Sequence, residues 1–338
     1  MRLHALQYLR AVAALAVVYS HSVIQVEDYA RYLGEAGSFG VDIFFVISGF
    51  IMIYIAKPDD RPGKFIVHRI RRVVPLYWFF TGLMALILLL LPGVFKATVF
   101  DIPALLTSLA FIPHWSLAQE NVVWPIVAPG WSLNFEMYFY AIFALSLFLA
   151  QRFRVLFISV VITTVFIIAT LLHDGESAMA QFFSKSMVFE FIFGMLLALA
   201  WKRGFRIPSS TAPWLMLLAA SLLLIKLPLP RILEFGVPSL LLVAGCLYVK
   251  VKEYRWAVLL GDASYALYLS HIFTLGVLRK FLAPLLGEGQ VAAYLFVAIS
   301  LVICTLVSIV IHKYIDNWLL RMERLPKRDR SSPVPTKA

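Results

Sequence analysis

Residues 74–94 read VPLYWFFTGLMALILLLLPGV, a run that contains no Asp, Glu, Lys, Arg or His. A hydrocarbon layer about 30 Å thick requires about 20 consecutive apolar residues in a helix, so this run is long enough to cross a bilayer. Lipid offers no hydrogen-bond partners to an open backbone, and a helix satisfies every peptide group internally. The run therefore predicts a membrane-spanning helix.

The composition of the whole chain agrees with this stretch. Of its 338 residues, 61% are hydrophobic and 14% are charged, and the mean hydropathy is +0.85. Average soluble domains have about 45–50% apolar and about 25% charged residues. A water-soluble fold of this size needs a more polar surface than the chain can supply, which excludes a soluble protein.

Apolar segments separated by polar or Pro/Gly breaks recur along the chain, and they predict an all-α, polytopic membrane protein with about ten transmembrane helices. The segments cover residues 5–26, 38–56, 74–94, 131–150, 154–172, 182–201, 212–226, 235–249, 257–278 and 290–312. Residues 102–118 contain two prolines and are predicted to form an interfacial element. We predict a transmembrane domain over residues 1–318 and a basic, disordered cytoplasmic tail over residues 319–338.

The distribution of charge predicts the orientation. Lys and Arg on the side that holds both termini outnumber those on the other side about threefold, so both termini are predicted to be cytoplasmic. The net charge is +11, but the basic residues do not cluster on a hydrophilic module, which argues against a nucleic-acid partner. Membrane lipids are the expected partner of the basic tail, and the inner (plasma) membrane is the predicted location.

Charged groups at membrane depth cost about 2.5–3.5 kcal/mol on insertion scales, so each one inside a span is a functional candidate. Arg10 and His21 lie eleven residues apart in the first segment. At about 100° per residue they point in the same direction, with Arg10 nearer the cytoplasm and His21 nearer the outside. This spacing favours a functional role for His21 over a structural one.

Three further ionisable side chains are predicted at the level of His21, in the outer half of the membrane. They are Asp42 in the second helix, Glu136 in the fourth and His271 in the ninth. The alternative for Glu136 and His271 is a structural hydrogen bond between helices, and Asp42 has the alternative of stabilising a helix N-terminus. The sequence leaves both interpretations open.

Arg69 and Arg72 lie in a basic stretch that precedes the third apolar segment. At i and i+3 they share one face of a helix, and an arginine pair suits phosphate because each guanidinium forms bidentate hydrogen bonds. A polyphosphate donor at the cytoplasmic side is one interpretation. The positive-inside bias is the other.

Five motifs follow one another along the chain. They are Tyr8-Leu9-Arg10-Ala11 with His21; Gly40-Val41-Asp42 through Ser48-Gly49-Phe50; Arg69-Ile70-Arg71-Arg72 with Pro75-Leu76-Tyr77-Trp78; Trp131-Ser132-Leu133 with Glu136 and Phe139-Tyr140; and Leu260-Gly261-Asp262 through Tyr265, with Tyr268 and His271. In this order they resemble acyltransferase family 3, the integral-membrane O-acyltransferases, over nearly the whole chain. Within that family the chain is similar to ExoZ-like exopolysaccharide and O-antigen acetyltransferases.

The resemblance implies transfer of an acyl group, most often acetyl, from cytoplasmic acetyl-CoA to a sugar hydroxyl of an extracytoplasmic or lipid-linked glycan. Acyl-CoA is then a substrate; no permanently bound cofactor and no metal is expected. Polysaccharide-assembly proteins are expected partners.

The resemblance also implies roles for individual residues. The implied catalytic group comprises His21, Arg10, Asp42, Glu136 and His271, with Arg69, Arg72 and Arg10 binding the donor. The residues expected to bind substrate or the oxyanion are Ser48, Gly49, Trp131, Ser132 and Tyr268. His21 would act as a general base on the sugar hydroxyl. An acyl-imidazole intermediate on the same residue is the alternative.

Two other classes of protein fit the buried ionisable residues. Carboxylates and histidines in a membrane also form proton relays, so a proton-coupled transporter of a sugar or lipid-linked glycan is one alternative. A non-catalytic scaffold in glycan assembly is the other.

Overall fold

The computed structural model describes residues 4–26, 29–33, 37–91, 100–225 and 228–322. Within these residues the chain is helical and forms no β-strand, which confirms the predicted all-α class. Each predicted apolar segment overlaps one main helix; the segment 182–201 also contains the end of the short helix Ala178–Phe183. The ten helices are α1 (His4–Val23), α2 (Gly40–Ile55), α3 (Pro62–Leu90), α4 (Gly130–Ser146), α5 (Gln151–Leu171), α6 (Phe189–Lys202), α7 (Ala212–Leu224), α8 (Val237–Tyr248), α9 (Arg255–Phe281) and α10 (Gln290–Ile311).

In the part of the chain that the structure describes, four helices are long and apolar enough to cross a membrane. They are α3, α5, α9 and the continuous helical stretch Gln290–Leu319, which includes α10. The helices α2 and α7 and the stretch Ile232–Tyr248 are apolar but shorter.

The predicted interfacial element and tail have different outcomes. Only Ile102–Leu109 of the element is helical; Asp101 caps it by accepting a 2.7 Å hydrogen bond from the Ala104 backbone N–H. At the other end of the chain, a helix extends over Asn317–Met322. Residues 323–338 lie outside the described residues, so the tail stays a prediction.

Segments that the sequence assigns to one side of the membrane contact one another in two pairs. Arg154 donates hydrogen bonds of 2.8 Å to the carbonyl oxygens of both Lys57 and Pro58. The Tyr8 hydroxyl accepts a 2.8 Å hydrogen bond from the backbone N–H of Tyr254. These contacts join the α2–α3 loop to the start of α5, and the start of α1 to the segment before α9.

Glycines allow α2 and α6 to pack closely. A Cβ on Gly194 would lie 2.0 Å from the Val46 carbonyl oxygen, and a Cβ on Gly49 would lie 2.1 Å from the Phe191 carbonyl oxygen. Helices in lipid associate through small residues because these let the backbones approach. Gly49 therefore faces α6. The sequence analysis expects Gly49 in the substrate site, and the structure places it outside that site.

The helices α1 and α9 run parallel and are also in close contact. A Cβ on Gly261 would lie 2.3 Å from the Gln7 carbonyl oxygen. Further along both helices, His21 and His271 are hydrogen-bonded. The α1–α9 contact therefore determines the relative position of the two histidines.

Gly194→Ala is expected to destabilise the protein by about 1–3 kcal/mol, because the new methyl group overlaps the backbone of α2. The change in unfolding temperature is measured in detergent, with size-exclusion chromatography as the assay for folded protein. Gly82→Ala is the matched control, since a Cβ there meets nothing within 4 Å. Equal unfolding temperatures for both variants would contradict the close packing of α2 on α6.

Candidate active site

A cavity of about 380 Å³ lies among α1, α2, α3, α4 and α9. Ligand pockets in proteins occupy about 300–1,000 Å³, so the space suits part of a substrate. We call it the inner cavity. Its polar lining residues are Gln7, Arg10, Ser48, His68, Arg69, Arg72, Ser132, Glu136, Tyr140, Ser264, Tyr265 and Tyr268.

Three arginines line the inner cavity. Arg69 is buried, and its guanidinium lies 5.4 Å from the centre of the Phe65 ring and 5.8 Å from that of Tyr140. Arg72, one helical turn along α3, is exposed. Arg10 Nη1 donates a 3.1 Å hydrogen bond to Gln7 Oε1. The structure thus brings Arg10, Arg69 and Arg72 to one cavity, and that cavity reaches the surface at Arg72.

Glu136, which the sequence predicts at the level of His21, also lines the inner cavity, whereas His21 does not. The Tyr140 hydroxyl donates a hydrogen bond to Glu136 Oε1, and Ser48 Oγ lies 3.5 Å from the same oxygen. The face of α4 that carries Glu136 points towards the arginines rather than towards the histidines. Glu136 is therefore an acidic residue in a cavity whose lining also includes three arginines.

His21 and His271 form a hydrogen-bonded pair. His271 Nδ1 lies 3.2 Å from the Leu267 carbonyl oxygen and, because a carbonyl only accepts, carries the proton. Nε2 of neutral His271 is then an acceptor, and His21 Nδ1, 2.9 Å away, donates to it. This leaves His21 Nε2 unprotonated and able to accept a proton.

Tyr268 and Ser132 form a second buried pair. Their hydroxyl oxygens lie 2.7 Å apart, and the Pro129 carbonyl oxygen lies 3.0 Å from the Tyr268 hydroxyl and 3.1 Å from Ser132 Oγ. Only two hydroxyl protons are available for these three contacts. Each hydroxyl can therefore turn its proton from one acceptor to another. Hydroxyl donors next to a reacting carbonyl stabilise the oxyanion that develops there.

A second cavity, of about 550 Å³, contains His21; we call it the outer cavity. Val41 and Tyr268 line both cavities and therefore form the wall between them. The remaining residues that line the outer cavity are Val17, Ser20, Ser38, Trp124, Trp131, Ser184, Lys185, Ser186, Met187 and Arg231. His21 thus faces one cavity, and the three arginines face the other.

Asp42, which the sequence predicts at the level of His21, lines neither cavity. It is fully buried, and its Oδ2 accepts a 2.7 Å hydrogen bond from Arg231 Nη2. Glu190, also fully buried, lies against Asp42. The side of α2 that carries Asp42 faces α6 and the segment before α8. Asp42 therefore positions Arg231.

Most residues of the outer cavity are not candidates from the sequence; Trp124, Lys185 and Arg231 are the largest or charged ones among them. Arg231 follows a proline-rich stretch, and nothing in the sequence around it separates it from an ordinary loop arginine. Lys185 precedes an apolar helix and likewise has no local pattern that indicates a function. No spacing rule connects Asp42 to a residue so far along the chain, so no local signal predicts the ion pair.

Comparison with known proteins identifies the family. The sequence profile of the acyltransferase domain, acyltransferase family 3, matches residues 3–313. The chain therefore belongs to this family, and the protein is an acyltransferase. Family membership decides against the transporter and scaffold alternatives.

Two curated relatives match most of the chain. It is 36% identical over 297 residues to exopolysaccharide production protein ExoZ of Rhizobium meliloti (strain 1021), covering 85% of this chain and 91% of ExoZ. It is 25% identical over 365 residues to acyltransferase MdmB of Streptomyces mycarofaciens, covering 95% of this chain and 92% of MdmB. No solved structure matches the chain.

Replacing His271 by leucine is expected to lower the rate of acyl transfer about 100-fold or more, because His21 Nδ1 loses its partner on α9 and the reactive tautomer and ring position are held less firmly. His271→Gln is the matched control, since its amide oxygen can accept the same hydrogen bond. Initial transfer rates in isolated membranes, normalised to protein level, measure both variants. If glutamine rescues nothing, His271 does not act through the tautomer of His21.

Proposed function

We propose that this acyltransferase moves an acetyl group from cytoplasmic acetyl-CoA to a sugar hydroxyl of an extracytoplasmic or lipid-linked glycan. The observation that carries the proposal is the pair of cavities that meet at Val41 and Tyr268, one lined by arginines and the other containing His21. The name of the relative ExoZ, an exopolysaccharide production protein, supports a polysaccharide acceptor.

We propose ten membrane spans, α1 to α10, with both termini in the cytoplasm and the protein in the plasma membrane. The positive-inside bias supports this orientation, since lysine and arginine concentrate in the loops of one side. The contacts of Arg154 with Lys57 and Pro58 also support it, because they join two segments that are both predicted to be cytoplasmic. The inner cavity then opens towards the cytoplasm.

The donor enters the inner cavity with its phosphates at the arginines. Arg72 is exposed and meets the phosphates first, and Arg69 is buried one turn before it with its Nε free of hydrogen bonds to the described residues. The acyl-carrying arm passes Arg10 and Glu136 and brings the thioester to Tyr268. This places the donor carbonyl at the wall between the two cavities.

In the proposed reaction the acceptor hydroxyl enters the outer cavity and attacks the thioester carbonyl carbon. His21 Nε2 takes the hydroxyl proton as the new C–O bond forms. Tyr268 and Ser132 donate hydrogen bonds to the oxyanion. When the intermediate collapses, the C–S bond breaks, and the CoA thiolate leaves and takes a proton, which His21 can return. The products are the O-acetylated sugar and CoA, with His21 regenerated.

Sealed vesicles of known orientation test this proposal. Radiolabelled acetyl-CoA confined to the predicted cytoplasmic side is expected to label a polysaccharide acceptor on the opposite side. His21→Ala is expected to abolish labelling while insertion and protein level stay unchanged, because an uncharged side chain at that depth costs the fold little. Labelling from acetyl-CoA confined to the acceptor side would contradict the proposed route.

Changing Arg69 and Arg72 together to lysine is expected to raise the KM for acetyl-CoA about tenfold or more. Lysine keeps the positive charge and hence the orientation, but it lacks the planar fork that binds phosphate. Arg71→Lys is the matched control, because Arg71 is exposed and does not line the inner cavity. An unchanged KM in the double variant would mean that the two arginines serve only to orient the protein in the membrane.

A further inference from the structure

The outer cavity contains two cations that neither donor binding nor the chemistry of His21 requires. They are Lys185, in the loop before α6, and Arg231, in the segment before α8. Their presence beside the catalytic histidine indicates what else the acceptor must carry.

The guanidinium of Arg231 is fixed by an ion pair, and part of the side chain remains exposed. Its Nη2 is bound to the fully buried Asp42, whereas 36% of the Arg231 side chain is exposed. Its Nε is buried and has no hydrogen-bond partner among the described residues. The ion pair thus anchors the guanidinium, and the exposed part of the side chain lines the cavity where a ligand can reach it.

Lys185 has no anionic partner among the residues that the structure describes. Its ammonium lies 5.7 Å from the centre of the Trp131 ring, a cation–π contact that does not neutralise the charge. Burial, and then the charge of Arg231, lower the pKa of Lys185. The two cations therefore repel each other, and an anion placed between them would relieve that repulsion.

Aromatic and hydroxyl groups complete the outer cavity. Trp124 and Trp131 offer large, flat apolar surfaces with an N–H donor, which suit the C–H face of a sugar ring. Ser20, Ser38 and Ser186 offer hydroxyl groups that can pair with sugar hydroxyls. This combination of groups matches a saccharide better than a purely apolar or purely ionic ligand.

We propose that the outer cavity binds an anionic saccharide, with a phosphate or carboxylate group between Lys185 and Arg231 and the reacting hydroxyl at His21. This inference rests on the proposed function and defines its acceptor more narrowly. The shared chemistry is a group of negatively charged oxygens close to the acetylated sugar. Its two sources are the diphosphate that links a saccharide to a lipid and the carboxylate of a uronic acid in the glycan.

Binding to the full-length protein in nanodiscs, without acetyl-CoA, tests the inference. The probes are inorganic diphosphate, a glucuronate-containing oligosaccharide and a neutral glucose oligosaccharide of the same length, each measured by calorimetry. At least one anionic probe is expected to bind tenfold or more tightly than the neutral oligosaccharide. Diphosphate binding would indicate the lipid linkage, and binding of the glucuronate probe alone would indicate the glycan carboxylate.

Lys185→Gln is expected to weaken binding of the anionic probe about tenfold and to leave the neutral probe unchanged, since it removes one of two cations. Lys185→Arg should retain binding and shows that the position tolerates substitution. Lys280→Gln is the matched control, because Lys280 is an exposed lysine that does not line the outer cavity. Absence of preference for both anionic probes, or equal binding by Lys185→Gln and wild type, would overturn the inference.

Transfer assays separate this inference from the proposed function. Lys185→Gln should raise the KM for the acceptor and leave the KM for acetyl-CoA unchanged. Anion binding that depends on Lys185 in a protein that transfers no acetyl group would uphold the inference and reject the proposed function. Transfer to a neutral glycan, without anion binding, would reject the inference and uphold the proposed function.

Discussion

The close parallel packing of α1 on α9 is the contact on which the rest of the site depends. At Gly261 the two backbones approach so nearly that a side chain there would overlap Gln7. The same packing brings His21 within 2.9 Å of His271 and fixes its tautomer. Because α1 also carries Arg10 and α9 also carries Tyr268, the pair of helices contributes to both cavities and to the wall between them.

Two cavities that share a thin wall suit a reaction whose substrates arrive from opposite sides of a membrane. A hydrophilic donor and a hydrophilic acceptor both meet a barrier in the hydrocarbon layer, so each requires a polar compartment of its own. Arginines line the compartment proposed for the donor, and Trp, Ser and two cations line the one proposed for the acceptor. Tyr268 lies where the two substrates would meet.

The buried Asp42 shows how the fold limits the cost of placing a charge in an apolar environment. Asp42 is fully buried, but Arg231 is bound to it directly, and a buried charge is tolerated when it is paired. The pair connects α2 to the segment before α8. One interaction therefore supports the packing of the helices and also holds a cation at the rim of the outer cavity.

The sequence by itself determined the helices and the residues that share a face of one helix. Apolar length predicts α1 to α10, and helical periodicity places Arg10 with His21 and Arg69 with Arg72, because the repeat of a single helix fixes these directions. Only the tertiary structure decided that His21 contacts His271, that Glu136 faces the arginines and that Asp42 pairs with Arg231. Those contacts depend on how each helix is rotated against its neighbours, and periodicity within one helix leaves that rotation undetermined.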